Sequence, residues 1–270
     1  MDQSVEEKFT RLKKIFLSMG RVVVAYSGGV DSTLLLRAAK ESLGVEHVVA
    51  VTARSPLHPK RELEGAKRLA EEIGVRHIVI ESNELGIDGF SKNPPNRCYL
   101  CKKELFQEMQ HLARKEAISF VVEGSTLDDE MDHRPGRRAI QELGVRSPLQ
   151  EAGFTKEDVR ELSRALGLRT WDKPSFACLA SRFPYGEEIT PEGLRMVDEA
   201  EDFLFSLGFK QVRVRHYQSL ARIEVFPEEM SRLMNGSLRE SVVHRLKKIG
   251  YRYVTLDLQG FRSGSMNEVL

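Results

Sequence analysis

The chain has 270 residues, 41% hydrophobic and 30% charged, with 41 Lys and Arg against 40 Asp and Glu. That length buries one large core or two smaller ones, and a formal charge of +1 sets up no bulk basic field, so a nucleic-acid partner is not expected. No apolar run approaches the roughly 18 residues that span a bilayer, and Met1-Asp2-Gln3-Ser4-Val5 lacks the pattern of a signal peptide; a cytoplasmic protein is expected.

Val5, Phe9, Leu12 and Phe16 fall at helical spacing, which predicts a leading amphipathic helix. The β-branched run Val22-Val23-Val24 then enters Ser27-Gly28-Gly29-Val30-Asp31-Ser32, followed by the helix-favouring Thr33 to Ala39; this reads as strand, tight turn, helix. The glycines free the turn conformationally and leave the amide N–H groups uncovered, at a helix N-terminus where the dipole favours negative charge. Ser27 and Ser32 add hydroxyl donors, and Asp31 is placed to hold a magnesium ion or to cap the helix. The plainer alternative is an ordinary strand-to-helix turn capped by Asp31. The full SGGVDS string resembles the PP-loop of the ATP-pyrophosphatase superfamily, which holds the β- and γ-phosphates of ATP; no Gly-Lys-Ser/Thr follows, so it is not a Walker A loop.

Further strands are predicted at 47–52, 77–80 and 120–123, separated by helices at 59–73 and 101–115. That alternation predicts an α/β fold with a doubly wound parallel sheet, whose ligands bind at the carboxyl ends of the strands. Thr52, Arg54, Gly124 and Ser125 lie at such ends and join Ser27, Gly28, Gly29, Asp31 and Ser32 as candidate nucleotide contacts. A helix follows at 155–166 with Thr155 as its N-cap. Pro174, Pro184, Gly186 and Pro191 break residues 171–190 into a junction. It separates a first domain (1–170) from a smaller α+β domain (191–270) with a helix at 191–207, strands at 211–217, 221–226 and 251–256, and helical segments between.

Three cysteines without an export signal disfavour a disulfide framework. Cys98 and Cys101 form a CxxC at the start of a helix and Cys178 lies far away. Four readings stay open: a redox pair; zinc completed by a histidine such as His111 or His133; idle thiols; or a [4Fe–4S] cluster on three thiolates with one open iron.

The SGGVDS loop, Pro94 to Lys102, Glu123-Gly124-Ser125 and Asp132 to Gly136 together resemble the LarE family, as do Cys178 to Gly186, Ala221 to Val225 and Gly260 to Asn267. The resemblance runs almost end to end. It implies an ATP-dependent sulfurtransferase that adenylates a carboxylate of pyridinium-3,5-biscarboxylic acid mononucleotide and converts it to a thiocarboxylate during synthesis of the nickel-pincer nucleotide cofactor of lactate racemase. In single-cysteine members the residue matching Cys178 gives up its own sulfur. The added Cys98 and Cys101 resemble a three-cysteine subgroup, which implies Cys98, Cys101 and Cys178 as ligands of a [4Fe–4S] cluster resupplied by sulfide or another sulfur donor. ATP and Mg2+ are the other expected cofactors, and a homo-oligomer is implied.

An anionic substrate suits arginine forks, and Arg182, Arg213, Arg215 and Arg262 are the candidates, although Arg213 and Arg215 also read as the solvated face of an alternating strand. Cys178 and Asp31 are the candidate catalytic groups, with Glu201 a further one for acid–base work. The competing activities are a PP-loop tRNA thiolase, an amide-forming PP-loop ligase and a non-enzymatic ATP sensor.

Overall fold

A computed structural model describes residues 2–130, 135–174 and 176–269; Asp132, His133 and Arg134, quoted above, and Ser175 lie outside the described residues. The chain divides into two compact units, residues 1–84 with 96–176, and residues 85–95 with 177–270. One boundary falls at 176, and a second pair brackets the short segment 85–95. That segment belongs to the second unit because buried Asn93 donates to the carbonyls of Phe183 and Pro184 at 3.1 and 2.6 Å, while Ile189 N–H donates to Ser91 O.

In the first unit, α1 (Gln3–Met19) precedes β1 (Val22–Ala25), α2 (Val30–Leu43), β2 (Val48–Arg54), α3 (Lys60–Ile73), β3 (Arg76–Glu81), α4 (Arg97–Lys115) and β4 (Phe120–Val122). The short helices α5 (Gly136–Glu142) and α6 (Pro148–Glu151) and then α7 (Lys156–Ala165) complete it. The sheet is parallel throughout, in the order β3-β2-β1-β4. Alternation along β1 explains its two covered faces: Val22 and Val24 join Phe9, Leu12 and Phe16 of α1, Leu34 to Leu36 of α2 and Leu162 of α7. Val23 points the other way, into a cluster with Phe106 and Met109 of α4 and Ile140 of α5. Helices therefore lie on both faces, as the alternating pattern predicts. The strand order reverses between β2 and β4 across β1, which places the switch-point crevice at the carboxyl end of β1.

The second unit holds α8 (Pro191–Ser206), β5 (Val212–Tyr217), β6 (Leu220–Val225), α9 (Met230–Met234), α10 (Gly236–Ile249) and β7 (Tyr253–Leu256). β5 and β6 form an antiparallel hairpin, and β7 adds parallel to β6. One sheet face supplies Val212, Val214, Ile223 and Val225, which meet Ala200 and Leu204 of α8 and Leu246 of α10 in a core. The period of two then sends Arg213, Arg215 and Glu224 to the opposite face.

Candidate active site

The turn between β1 and α2 is shaped by one glycine. Gly28 has φ +69°, and a Cβ there would stand 2.9 Å from Cα of Ala66 and 3.0 Å from its Cβ, so a side chain is excluded on both counts. Gly29 is the N-cap of α2 and contributes no side-chain cap, which leaves the first helical amides directed out of the N-terminus. The Ser27 and Ser32 hydroxyls are 3.0 Å apart, Ser27 N–H donates to Ser32 Oγ at 3.3 Å, and Gly29 N–H donates to Ser27 Oγ at 3.3 Å. The loop is a small hydroxyl-lined cradle.

Asp31 lies in the first turn of α2, beyond the cap, so its role is not that of a plain helix cap. Its carboxylate accepts from Lys156 Nζ at 2.6 Å, and the same ammonium is 3.3 Å from Asp129. Burial pushes the Asp31 carboxyl above its ordinary value, and the Lys156 charge opposes that shift. Asp129 is fixed by the N–H and hydroxyl of Thr126, at 2.8 and 3.2 Å. Lys156 is the first residue of α7, whose capping box pairs Thr155 with Asp158, and its own N–H donates to Asp128 at 2.6 Å. A second lysine, Lys173, donates to the Gly28 carbonyl at 3.0 Å and to Glu62 at 2.7 Å.

The loop after β4 runs against the phosphate loop: a Cβ on Gly124 would stand 3.2 Å from Ser32 N and 3.3 Å from the Asp31 carbonyl carbon. Ser125 turns its N–H and hydroxyl to Glu123, at 3.1 and 2.9 Å, and lines a cavity of about 580 Å³ with Leu127, Arg137, Ile140 and Arg146. Thr52 is buried; its Oγ1 donates to the Tyr26 carbonyl at 2.6 Å and lies 2.8 Å from His77 Nε2. Arg54 is exposed and ion-paired with Glu81 at 2.9 Å. The first unit therefore gathers Ser27, Gly28, Gly29, Asp31, Ser32 and Gly124 at one place, with Thr52 behind the loop.

Lys156, Lys173 and His77 are functional candidates that sequence reasoning missed. Lys156 follows an N-cap threonine and reads as an ordinary first-turn residue, and nothing in its spacing reveals that α7 packs on α2. The only available signal is its place directly after a capping threonine.

Cys98 lies in the first turn of α4 and Cys101 one turn on, the helix starting four residues before the expected Cys101. Cys98 is exposed and Cys101 half-buried, and neither they nor Cys178 is in a disulfide. His111 is ten residues beyond Cys101 on the same helix, about 15 Å along its axis, so it does not complete a zinc site with this pair; His133 lies outside the described residues.

In the second unit Cys178 caps a short 3-10 turn, Leu179–Arg182. Arg182 is fully buried and bidentate with Glu201 of α8, at 2.8 and 2.9 Å. Its remaining nitrogen donates to the carbonyls of Ala177 and Cys178 at 2.8 and 3.1 Å. Burial disfavours the Glu201 carboxylate, but the Arg182 charge and hydrogen bonds, with the Val214 N–H, hold its pKa below the usual carboxylate value. Arg215 pairs with Glu224 at 2.9 and 2.7 Å, and Arg222 reaches Glu224 and Asp257 at 3.1 and 3.4 Å. Burial and the neighbouring Arg182 push Arg213 down to about 9, which leaves it charged at neutral pH. Arg262 is ion-paired with exposed Glu268 at 2.5 Å. Arg213 and Arg215 are only 4% exposed, so they form a buried basic cluster where the alternating pattern alone reads as a solvated face.

A parallel sheet with a glycine-bent, hydroxyl-lined loop at its switch point defines an ATP-dependent enzyme of the PP-loop type. The chain matches the NAD synthase family over residues 7–94. It is 46% identical over 266 residues to an uncharacterised protein of Synechocystis sp., covering 98% of this chain and 99% of that one. It is 42% identical to the pyridinium-3,5-bisthiocarboxylic acid mononucleotide synthase of Lactiplantibacillus plantarum over 93% of this chain and 90% of that enzyme. A third relative, an uncharacterised protein of Methanocaldococcus jannaschii, is 31% identical over 97% of this chain and 96% of its own length. The chain belongs to the LarE family of pyridinium-3,5-bisthiocarboxylic acid mononucleotide synthases. No helix among the described residues is long and apolar enough to cross a membrane.

Proposed function

We propose that this enzyme adenylates a carboxylate of pyridinium-3,5-biscarboxylic acid mononucleotide and converts it to a thiocarboxylate, as a sulfurtransferase of nickel-pincer nucleotide synthesis. The observation that carries this reading is the identity of 42% to the Lactiplantibacillus plantarum synthase over nearly the whole length of both chains.

In this reading the amides and hydroxyls of Ser27, Gly28, Gly29 and Ser32 cradle the terminal phosphates of ATP. A pair of carboxylates already facing one cation, Asp31 and Asp129, fits a magnesium ion, which favours hard oxygen ligands. Arg54, Gly124 and Ser125 border the nucleotide, and Thr52 acts by holding the loop. The substrate carboxylate attacks the α-phosphorus, a P–O bond breaks and pyrophosphate departs. A sulfur nucleophile then attacks the acyl carbon, the acyl C–O bond breaks, and AMP leaves with its pair of electrons.

Arg213, Arg215 and Arg262 are proposed to hold the anionic mononucleotide: guanidiniums outnumber carboxylates in the buried cluster that holds Arg213 and Arg215, and Arg262 stands partly exposed beside Glu268. Arg182 and Glu201, engaged with each other, are assigned to positioning: through two carbonyls the arginine fixes the backbone on which Cys178 rides. Cys98 and Cys101, one turn apart near a helix N-terminus that favours thiolates, and Cys178 are proposed as the iron ligands, because thiolate sulfur is the donor type such clusters take. A [4Fe–4S] cluster on these three thiolates would supply an open iron for a hydrosulfide drawn from sulfide or another donor. Without it, the Cys178 sulfur attacks the adenylate and expels AMP; a base then takes the Cα proton, the Cβ–S bond breaks with its electrons leaving on the thiocarboxylate, and Cys178 ends as dehydroalanine.

The test is iron and sulfide analysis of protein purified without oxygen, alongside mass spectrometry of the product and of Cys178 after turnover with ATP and the mononucleotide. Thiocarboxylate with about four irons per chain and an intact Cys178 supports the cluster route. Thiocarboxylate with one sulfur lost from Cys178 supports the sacrificial route, and no thiocarboxylate at all overturns the assignment.

A further inference from the structure

The ammonium of Lys156 lies 2.6 Å from Asp31 and 3.3 Å from Asp129, at the position between two carboxylates that the reading above gives to a divalent cation. We infer that Lys156 is a built-in counter-ion that occupies the metal seat of the nucleotide-free enzyme and is drawn off by the polyphosphate, so that metal enters only together with nucleotide. This inference rests on the assignment of Asp31 and Asp129 as the metal-holding pair.

Three observations support it. First, the two carboxylates come from separate elements, the first turn of α2 and the loop after β4. The Asp31 backbone is fixed by its helix, and the Asp129 carboxylate is held by the Thr126 N–H and hydroxyl. The backbone frame of the seat is therefore set by α2 and the loop after β4, with Lys156 as the partner of the Asp31 carboxylate. Second, only the backbone end of Lys156 is fixed, by the bond from its N–H to Asp128 and the capping box of α7. Its side chain is 39% exposed, and a flexible four-carbon stem lets the charge swing without moving the helix. Third, the seat adjoins the phosphate cradle, since Asp31 belongs to that loop and the Gly124 loop lies against Ser32 and Asp31. A triphosphate bound there presents anionic oxygens that compete with the carboxylates for the ammonium.

The physical logic is exchange of cations. Two carboxylates facing one another repel, and burial of Asp31 sharpens the penalty. Lysine relieves it with a single charge. A divalent ion relieves it better but must first displace the ammonium, which then needs another anion. The γ-phosphate supplies one, so nucleotide and metal bind cooperatively, as linkage requires whenever one ligand removes a competitor of the other. The enzyme without nucleotide thus takes up little metal.

The experiment titrates Mn2+ into nucleotide-free enzyme and follows loss of the free-ion electron paramagnetic resonance signal. Lys156→Met is expected to bind Mn2+ roughly five- to tenfold more tightly than the wild type, a size set by a partly exposed ion pair. Lys156→Arg keeps the charge and is expected to show no gain. A non-hydrolysable ATP analogue should tighten Mn2+ binding by the wild type more than by Lys156→Met. If Lys156→Met binds Mn2+ no more tightly than the wild type while Asp31→Asn abolishes binding, the counter-ion inference fails and the metal pair stands. If Asp31→Asn keeps full Mn2+ affinity with and without nucleotide, the metal pair itself is wrong.

Discussion

At Gly28 the phosphate loop has no spare room. Its positive φ and the 2.9 Å approach of the Ala66 backbone act together, because a methyl group would be strained by its own backbone and would also push on α3. Gly28→Ala is expected to lower stability by about 1–3 kcal/mol and to weaken ATP binding more than it changes the fold. Thermal unfolding and nucleotide titration check this, and unchanged ATP affinity would show that the loop tolerates displacement. The neighbouring Lys173 sets the same limit from the other side, since it ties the Gly28 carbonyl to Glu62.

At the scale of the element, the loop is only as rigid as the strand end that carries it. Thr52 of β2 donates its single hydroxyl proton to the Tyr26 carbonyl, at the root of the loop. It must therefore accept from His77 of β3, which requires a proton on Nε2 of that ring. Burial, and then the Lys67 charge, lower the His77 pKa and so keep the ring neutral at pH 7. Three adjacent strands thus brace one turn through one hydroxyl. Thr52→Val removes the bond at nearly constant volume and is expected to reduce kcat/KM for pyrophosphate release roughly tenfold, with Thr52→Ser restoring most of it. A nitrogen-15 spectrum showing His77 protonated on Nδ1 alone would contradict the relay.

For the whole molecule, stability and pH are linked through the buried ion pair of the second unit. Glu201 receives Arg182 of the Cys178 loop and Val214 N–H of β5, so one carboxylate joins α8 to two other elements. Its folded pKa lies below the unfolded value, which for glutamate is about 4.3. The contribution is therefore fully present above that value and is lost as pH falls through the lowered folded value. Glu201→Gln is expected to cost about 3–5 kcal/mol at pH 7 and to flatten the acid limb of the stability curve. Urea unfolding between pH 7 and pH 3 tests both, and an unaltered acid limb would mean that other carboxylates govern it.

Much of this protein is legible from its residues alone. The leading helix, the four parallel strands and the N-cap at Thr155 follow from short-range pattern, because period, propensity and turn chemistry act within a few residues. The phosphate loop is legible for the same reason, since SGGVDS carries its geometry in its own glycines and hydroxyls. The tertiary structure decided what depends on contacts distant in sequence. Lys156 meets Asp31 across 125 residues, and Lys173 meets Gly28 across 145. Alternation along β5 separates two faces but says nothing about which is wet, and Arg213 and Arg215 turn out to be buried. Arg182 looks like a free cation in its motif, yet Glu201, nineteen residues on, occupies its fork. A charge in a sequence has a sign but no partner, and only the fold brings the partner within reach.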